Sequence, residues 1–185
     1  MSDFDLSDWR LRPPVGFRGA AIRLAEDAPE WDACAAQLGV EPAHIRAVAE
    51  VESRGEPFLP SGRPPILFER HQFSRRTRGI HDAFAPAVSH PNSGGYGEGG
   101  EAQYDRLEAA LKLDEKAALA CASWGRFQIM GFNFAMVGFK NVRQFVAGMC
   151  HSEAVQLQAF AAFIKANGLA DERSSARPFA LMNAA

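Results

Sequence analysis

Two glutamates, Glu50 and Glu52, are the residues of this 185-residue chain whose type and spacing first suggest chemistry. They follow Ile45-Arg46-Ala47-Val48-Ala49, a run with helical spacing of its apolar residues. An α-helix turns by about 100° per residue. With Ile45 at zero, Val48 falls at about 300°, Ala49 at about 40° and Glu52 at about 340°, all on one apolar stripe. Glu50 falls at about 140°, beside Arg46 on the solvated face. A carboxyl on the core side of a helix end is costly unless it is paired or used. Burial raises its pKa, which is what a general acid working near neutral pH requires. A helix end can equally hold such a glutamate half exposed against backbone or an arginine. On geometry alone both roles stay open.

Other chemistry-bearing residues offer less. Cys34, Cys121 and Cys150 are far apart, odd in number and form no CxxC pair, so they read as small core residues rather than a zinc site or disulfide framework. His44, His71, His81, His90 and His151 show no HExxH spacing. A net charge of −2 argues against a nucleic-acid partner and gives no general attraction to an anionic membrane. The first residues, MSDFDLSDWRLRPP, do not form a signal peptide, and no apolar run approaches a membrane span. Stable membrane insertion is therefore not expected, nor is an oligomer.

The elements that must position Glu52 follow from periodicity and punctuation. Residues 1–27 lack a period and contain Pro13-Pro14 and Gly16, so they read as an N-terminal arm or linker; one domain occupies 28–185. With 47% hydrophobic and 23% charged residues, that domain can build a core. Trp31, Cys34, Ala35 and Leu38 predict a helix over 29–38, started by Pro29 and stopped by Gly39. The helix carrying Glu52 runs from about Pro42 to Arg54. Residues 55–100 are rich in Pro and Gly; Pro65-Ile66-Leu67-Phe68-Glu69 could be a short strand, and 93–100 a loop or hairpin. Helices follow over 101–113 and 115–122, the second capped by Asp114. The pattern breaks at Ser123-Trp124-Gly125 and resumes as helix over 126–130. Asn141 caps a helix through Met149, and another spans 152–166 before Asn167-Gly168. A short helix over 177–182 ends the chain. The sum is mainly α, with a small irregular or β-containing insertion after the helix that ends in Glu52.

Ala47-Val48-Ala49-Glu50-Val51-Glu52-Ser53-Arg54-Gly55 resembles the Glu-Ser helix end of goose-type lysozymes and soluble lytic transglycosylases. Ala122-Ser123-Trp124-Gly125-Arg126-Phe127-Gln128-Ile129-Met130-Gly131 resembles a helix start that lines the same cleft in those enzymes. A narrower likeness is to the N-acetylmuramidase catalytic domain of phage endolysins, within the lysozyme-like superfamily. It is carried, in order, by 49–55, by Pro65-Ile66-Leu67-Phe68-Glu69-Arg70-His71, by Gly94-Gly95-Tyr96-Gly97, by Tyr104-Asp105-Arg106-Leu107 and by 122–133. The resemblance implies a lysozyme-like helical fold, peptidoglycan glycan strands as partner, and hydrolysis of the β-1,4 bond between N-acetylmuramic acid and N-acetylglucosamine. It implies no metal or organic cofactor. Met182-Asn183 stands where the family tends to have Tyr-Asn, and no separate peptidoglycan-binding module is visible.

By position Glu52 takes the acid role. Glycoside hydrolysis ordinarily uses a second carboxylate. Glu69, Asp82 and Glu98 are the candidates, and Glu69 ranks first because its apolar run would form the β region facing the acid; an ion pair with Arg70, Arg75 or Arg76 is the alternative. Asp82 and Glu98 read as solvated loop charges. Ser53, Ser123 and Gln128 are expected to hydrogen-bond the sugar, Ser123 having a capping role as its alternative. His71 is either a contact behind the site or a surface residue. Tyr96 and Trp124 could stack on sugar faces, and Trp124 could equally be core. A lytic transglycosylase would need one carboxylate and yield 1,6-anhydro ends. A non-catalytic peptidoglycan-binding domain is the reading outside the enzyme class. Without a signal peptide, the chain is expected to be made in the bacterial cytoplasm and to reach the periplasm through a holin or a dedicated secretion system.

Overall fold

The computed structural model describes residues 15–53 and 56–168, excepting the side chains of 50–53. Among the described residues are seven α-helices and one three-stranded sheet, in the order α1 (Pro29–Leu38), α2 (Pro42–Ser53), β1 (Ile66–Phe68), α3 (Arg70–Arg76), α4 (Ala102–Leu111), α5 (Glu115–Ala120), β2 (Ala122–Trp124), β3 (Ile129–Met130), α6 (Val142–His151) and α7 (Glu153–Ala166). The mainly α reading holds, with the β region inserted after α2. None of these helices is long and apolar enough to cross a membrane. The helix expected over 177–182, and Met182-Asn183, lie outside the described residues.

Local signals explain the helix ends. Pro29 opens α1, and Gly39 closes it in the left-handed region at φ 69°. Asp114, Asn141 and Ser152 each accept a backbone N–H of the first turn of the helix that follows, from Ala117, Gln144 and Val155. α7 is buried around most of its circumference, through Val155, Gln156, Leu157, Phe160, Ala161 and Ile164 among others. A helix so placed is the centre of a core rather than its cover. α1 and α6 pack on it, and α2 packs on α1.

Two expectations are corrected. Residues 126–130 do not form a helix. Gly125 and Gln128 hold φ at 73° and 49°, values incompatible with a right-handed helix, and the segment is the turn of a hairpin joining β2 to β3. β2 is the middle strand, antiparallel to both neighbours, pairing Ile66 with Trp124 and Trp124 with Ile129. Within the Pro-rich stretch, residues 70–76 are helical. The buried face of α3 is Gln72, Phe73 and Ser74, so it carries no apolar period to read.

The arm is part of the fold from Val15 onward. Phe17 is buried, its ring 5.6 Å from those of Tyr104 and Trp124. Ile22 bridges Ser152 at the α6–α7 junction, and Ile22 O accepts the Glu153 N–H at 2.8 Å. Gly19 permits this approach, because a Cβ there would lie 2.2 Å from Cys150 O. Cys34, Cys121 and Cys150 are free and buried, as small core residues.

Candidate active site

α2 ends in Glu-Ser as predicted, and its phase follows the expected stripe up to Ala49: Ile45 and Ala49 are buried, Val48 is half-buried, and His44, Arg46 and Ala47 are exposed. The side chains of Glu50, Glu52 and Ser53 lie outside the described residues. What holds the end of α2 is described. Arg126, in the β2–β3 turn, donates from Nε to Ala49 O at 3.3 Å, pairs with the buried Glu153 carboxylate, and lies over the Trp31 ring at 5.5 Å. A cation at a helix C-terminus is favourable, since the helix dipole is negative there. Gln156 completes the clamp. Its Oε1 accepts the Arg126 N–H at 2.6 Å, and its Nε2 donates to Pro57 O and Met149 O.

Glu69 follows β1 directly and continues its pairing, donating its N–H to Cys121 O at 2.9 Å. Its side chain turns inward and only 7% of the residue is exposed. His71 Nδ1 lies 3.1 Å from Glu69 Oε2, without the alignment of a hydrogen bond, so both buried atoms keep unused capacity. The tautomer follows from the neighbours. Arg75 donates to Gln72 Oε1, which turns Gln72 Nε2 to His71 Nε2 at 3.1 Å. Nε2 is then the acceptor, and neutral His71 carries its proton on Nδ1, towards Glu69. On the other side, the Tyr96 hydroxyl is within hydrogen-bonding reach of Glu69. Burial, aided by the negative charge of Glu69 and that hydrogen bond, pushes the Tyr96 phenol above its ordinary pKa. The alternative ion pair with Arg70, Arg75 or Arg76 is absent among the described residues; His71 and Tyr96 take that place. Tyr96 is half-buried, and its hydroxyl serves a carboxylate.

The loop carrying Tyr96 is tied down from α4. Gln103 donates to Tyr96 O at 2.7 Å and Glu98 O at 2.6 Å, while its Oε1 accepts the Phe68 N–H of β1 at 3.0 Å. Arg106 donates to Gly95 O at 2.6 Å and Ala87 O at 2.9 Å. One face of α4 thus fixes Tyr96 relative to the strand that delivers Glu69. Glu98 is exposed. Asp82 is not a free loop charge as expected: Ser74 and Ser89 both donate to it, which with burial opposing leaves its pKa lowered.

The β2 residues are placed behind the surface. Trp124 is fully buried, packs against Phe17 and donates from its indole to Leu119 O at 3.0 Å. No face is left for a sugar, so its stacking role is withdrawn. Ser123 is buried in mid-strand and caps no helix; its hydroxyl donates to Gln128 Oε1 at 2.7 Å. Gln128 Nε2 donates to Gly125 O and Pro65 O. Ser123 and Gln128 therefore brace the hairpin against β1 in this structure. Arg126, Glu153, Gln156, Gln103 and Arg106 were not singled out from sequence. The helical-phase argument used for Glu52 would have found two of them: Glu153 and Gln156 stand seven and four residues before Phe160, polar groups on the apolar face of α7.

The arrangement presents a buried carboxylate with one oxygen unsaturated, flanked by a phenol and an imidazole, suited to accept a proton from water or to stabilise a nearby cation. No group of three or more His, Cys, Asp or Glu among the described residues is placed to hold a metal.

Known proteins match this chain. A family described as Muramidase: N-acetylmuramidase matches residues 41–178. An endolysin of Enterobacteria phage PRD1 is 43% identical over 67 residues, 35% of this chain and 44% of that protein. The crystal structure of a Burkholderia AP3 phage endolysin superposes with a TM-score of 0.74 at 41% identity, covering 83% of this chain and 61% of that one. The fold is therefore the lysozyme-like one of that endolysin. The match spans less than two thirds of either relative.

Proposed function

The chain belongs to the N-acetylmuramidase family, and on that premise we propose that it hydrolyses the β-1,4 bond between N-acetylmuramic acid and N-acetylglucosamine in peptidoglycan. Glu52 acts as the acid that protonates the leaving glycosidic oxygen. Glu69 is the second carboxylate, accepting a proton from the attacking water or stabilising the oxocarbenium-like centre. The observation that carries this reading is the buried Glu69 with its unsaturated oxygen between His71 and Tyr96. A buried carboxylate set between an imidazole and a phenol is placed to take up a proton or to stabilise a cation. Tyr96 and His71 orient Glu69, while Ser123 and Gln128 act from behind through the hairpin. Ser53 is proposed to contact the sugar. The chain works as a monomer on periplasmic peptidoglycan, reached through a holin or a secretion system.

The test is clearing of outer-membrane-permeabilised Gram-negative cells. Glu52→Gln abolishes clearing with the fold intact by circular dichroism, and Glu50→Gln retains it. Clearing by Glu52→Gln, or an equal loss in Glu50→Gln, overturns the assignment. The products separate hydrolysis, which leaves a reducing muramic acid end, from transglycosylation, which leaves the 1,6-anhydro form.

A further inference from the structure

The Glu69 cluster holds more positive than negative charge. Arg70 and Arg106 both act on it: the Tyr96 hydroxyl senses Glu69 and Arg70 together, and Arg106 senses both as well. Neither arginine has a carboxylate partner among the described residues. The Nε of each is buried without an acceptor. Arg106 is occupied with the carbonyls of Gly95 and Ala87. Arg70 remains half-buried beneath the loop, which lies directly on its guanidinium: a Cβ on Gly95 would come within 2.6 Å of Arg70 Cζ. Burial and the neighbouring Arg70 charge disfavour the Arg106 cation, while the Glu69 charge favours it. The two guanidiniums have one carboxylate, Glu69, between them, and an arriving anion offsets the positive charge that is left.

The sugars of peptidoglycan are N-acetylated and neutral. Its anionic groups are the free carboxylates of the stem peptide, attached through the lactyl group of muramic acid. We propose that Arg70, with Arg106 behind it, is a subsite for a stem-peptide carboxylate, so that the enzyme selects peptide-substituted strands. A planar guanidinium suits a carboxylate better than any other cationic side chain does. The proposal rests on the muramidase reading, and the site lies one residue from Glu69, where a bound stem would also fix the sugar.

The test compares soluble, uncrosslinked glycan strands whose stem carboxylates are free with the same strands amidated by carbodiimide and glycinamide. For the wild-type protein, KM rises roughly tenfold or more on amidated strands, the worth of one charge-assisted hydrogen bond, and kcat stays within about threefold. Arg70→Gln has the high KM on both substrates and no longer distinguishes them; Arg70→Lys lies between. Equal wild-type KM on the two substrates overturns the subsite, a result that needs no variant. A fall in kcat of Arg70→Gln that is equal on both substrates, with discrimination retained, assigns Arg70 to support of Glu69 and also overturns it. Failure of the wild type to cleave either substrate contradicts the muramidase reading itself.

Discussion

Glu69 sits buried at the end of β1 with its carboxyl turned to His71 and to the loop of Tyr96. Its partners are a phenol and an imidazole rather than the arginines that its sequence neighbours suggested. Arg70, Arg75 and Arg76 are nearer in sequence, but the turn from β1 into α3 points Glu69 at the loop brought over by Gln103 and Arg106. Such a long-range tie leaves no local pattern to read. Glu69→Ala is expected to lower turnover by at least about a hundredfold, as loss of a general base does, with modest loss of binding to sacculi; wild-type turnover would remove Glu69 from the mechanism. The chain has two tyrosines, and burial raises the pKa of both, Tyr104 far above the ordinary value of 10.0 and Tyr96 less so. A phenol whose folded pKa is raised contributes stability that is whole below the unfolded value and is lost as pH rises above it. Phenolate absorbance in the native protein should therefore rise later than that of free tyrosine, with Tyr104 ionising only as the chain unfolds. A normal titration of both would contradict the burial described.

At the scale of elements, the helices other than α3 were legible and the hairpin was not. Caps are local chemistry, so Pro29, Gly39, Asp114 and Asn141 announced their helices. The hairpin hid because its strands are three and two residues long and buried throughout, leaving no alternation. It also contains a non-glycine residue, Gln128, at positive φ, a conformation paid for by the hydrogen bonds of its own side chain. The same hairpin delivers Arg126 to the end of α2, so the position of Glu52 depends on the Arg126–Glu153 pair. Removing one member strands the other in the interior. Arg126→Met should cost about 3–5 kcal/mol, seen as a lower urea midpoint, and should reduce turnover by loosening the end of α2. A change below about 1 kcal/mol would mean the pair is not a buried one.

Across the whole molecule, the family match begins at residue 41, but the structure that supports the site begins earlier. Phe17 fills a gap between Tyr104 and Trp124, joining the arm to both α4 and the sheet. Residues 1–27 read as a linker because they show no period, yet Phe17, Ile22 and Leu24 touch the domain through an aromatic cluster, a backbone bridge and a bond to Glu153. Phe17→Ala should destabilise the protein by about 3–5 kcal/mol, the usual cost of emptying an aromatic site, while a linker residue would cost under about 0.5 kcal/mol. Thermal unfolding separates these outcomes. Hydrolysis of glycan strands through Glu52 has a direct chemical readout. Mass spectrometry of muropeptides released from purified sacculi, wild type beside Glu52→Gln, tests it most directly. Fragments with reducing N-acetylmuramic acid ends are expected from the wild type and none from the variant. Release of the same fragments by Glu52→Gln, or of 1,6-anhydro ends by the wild type, would contradict it.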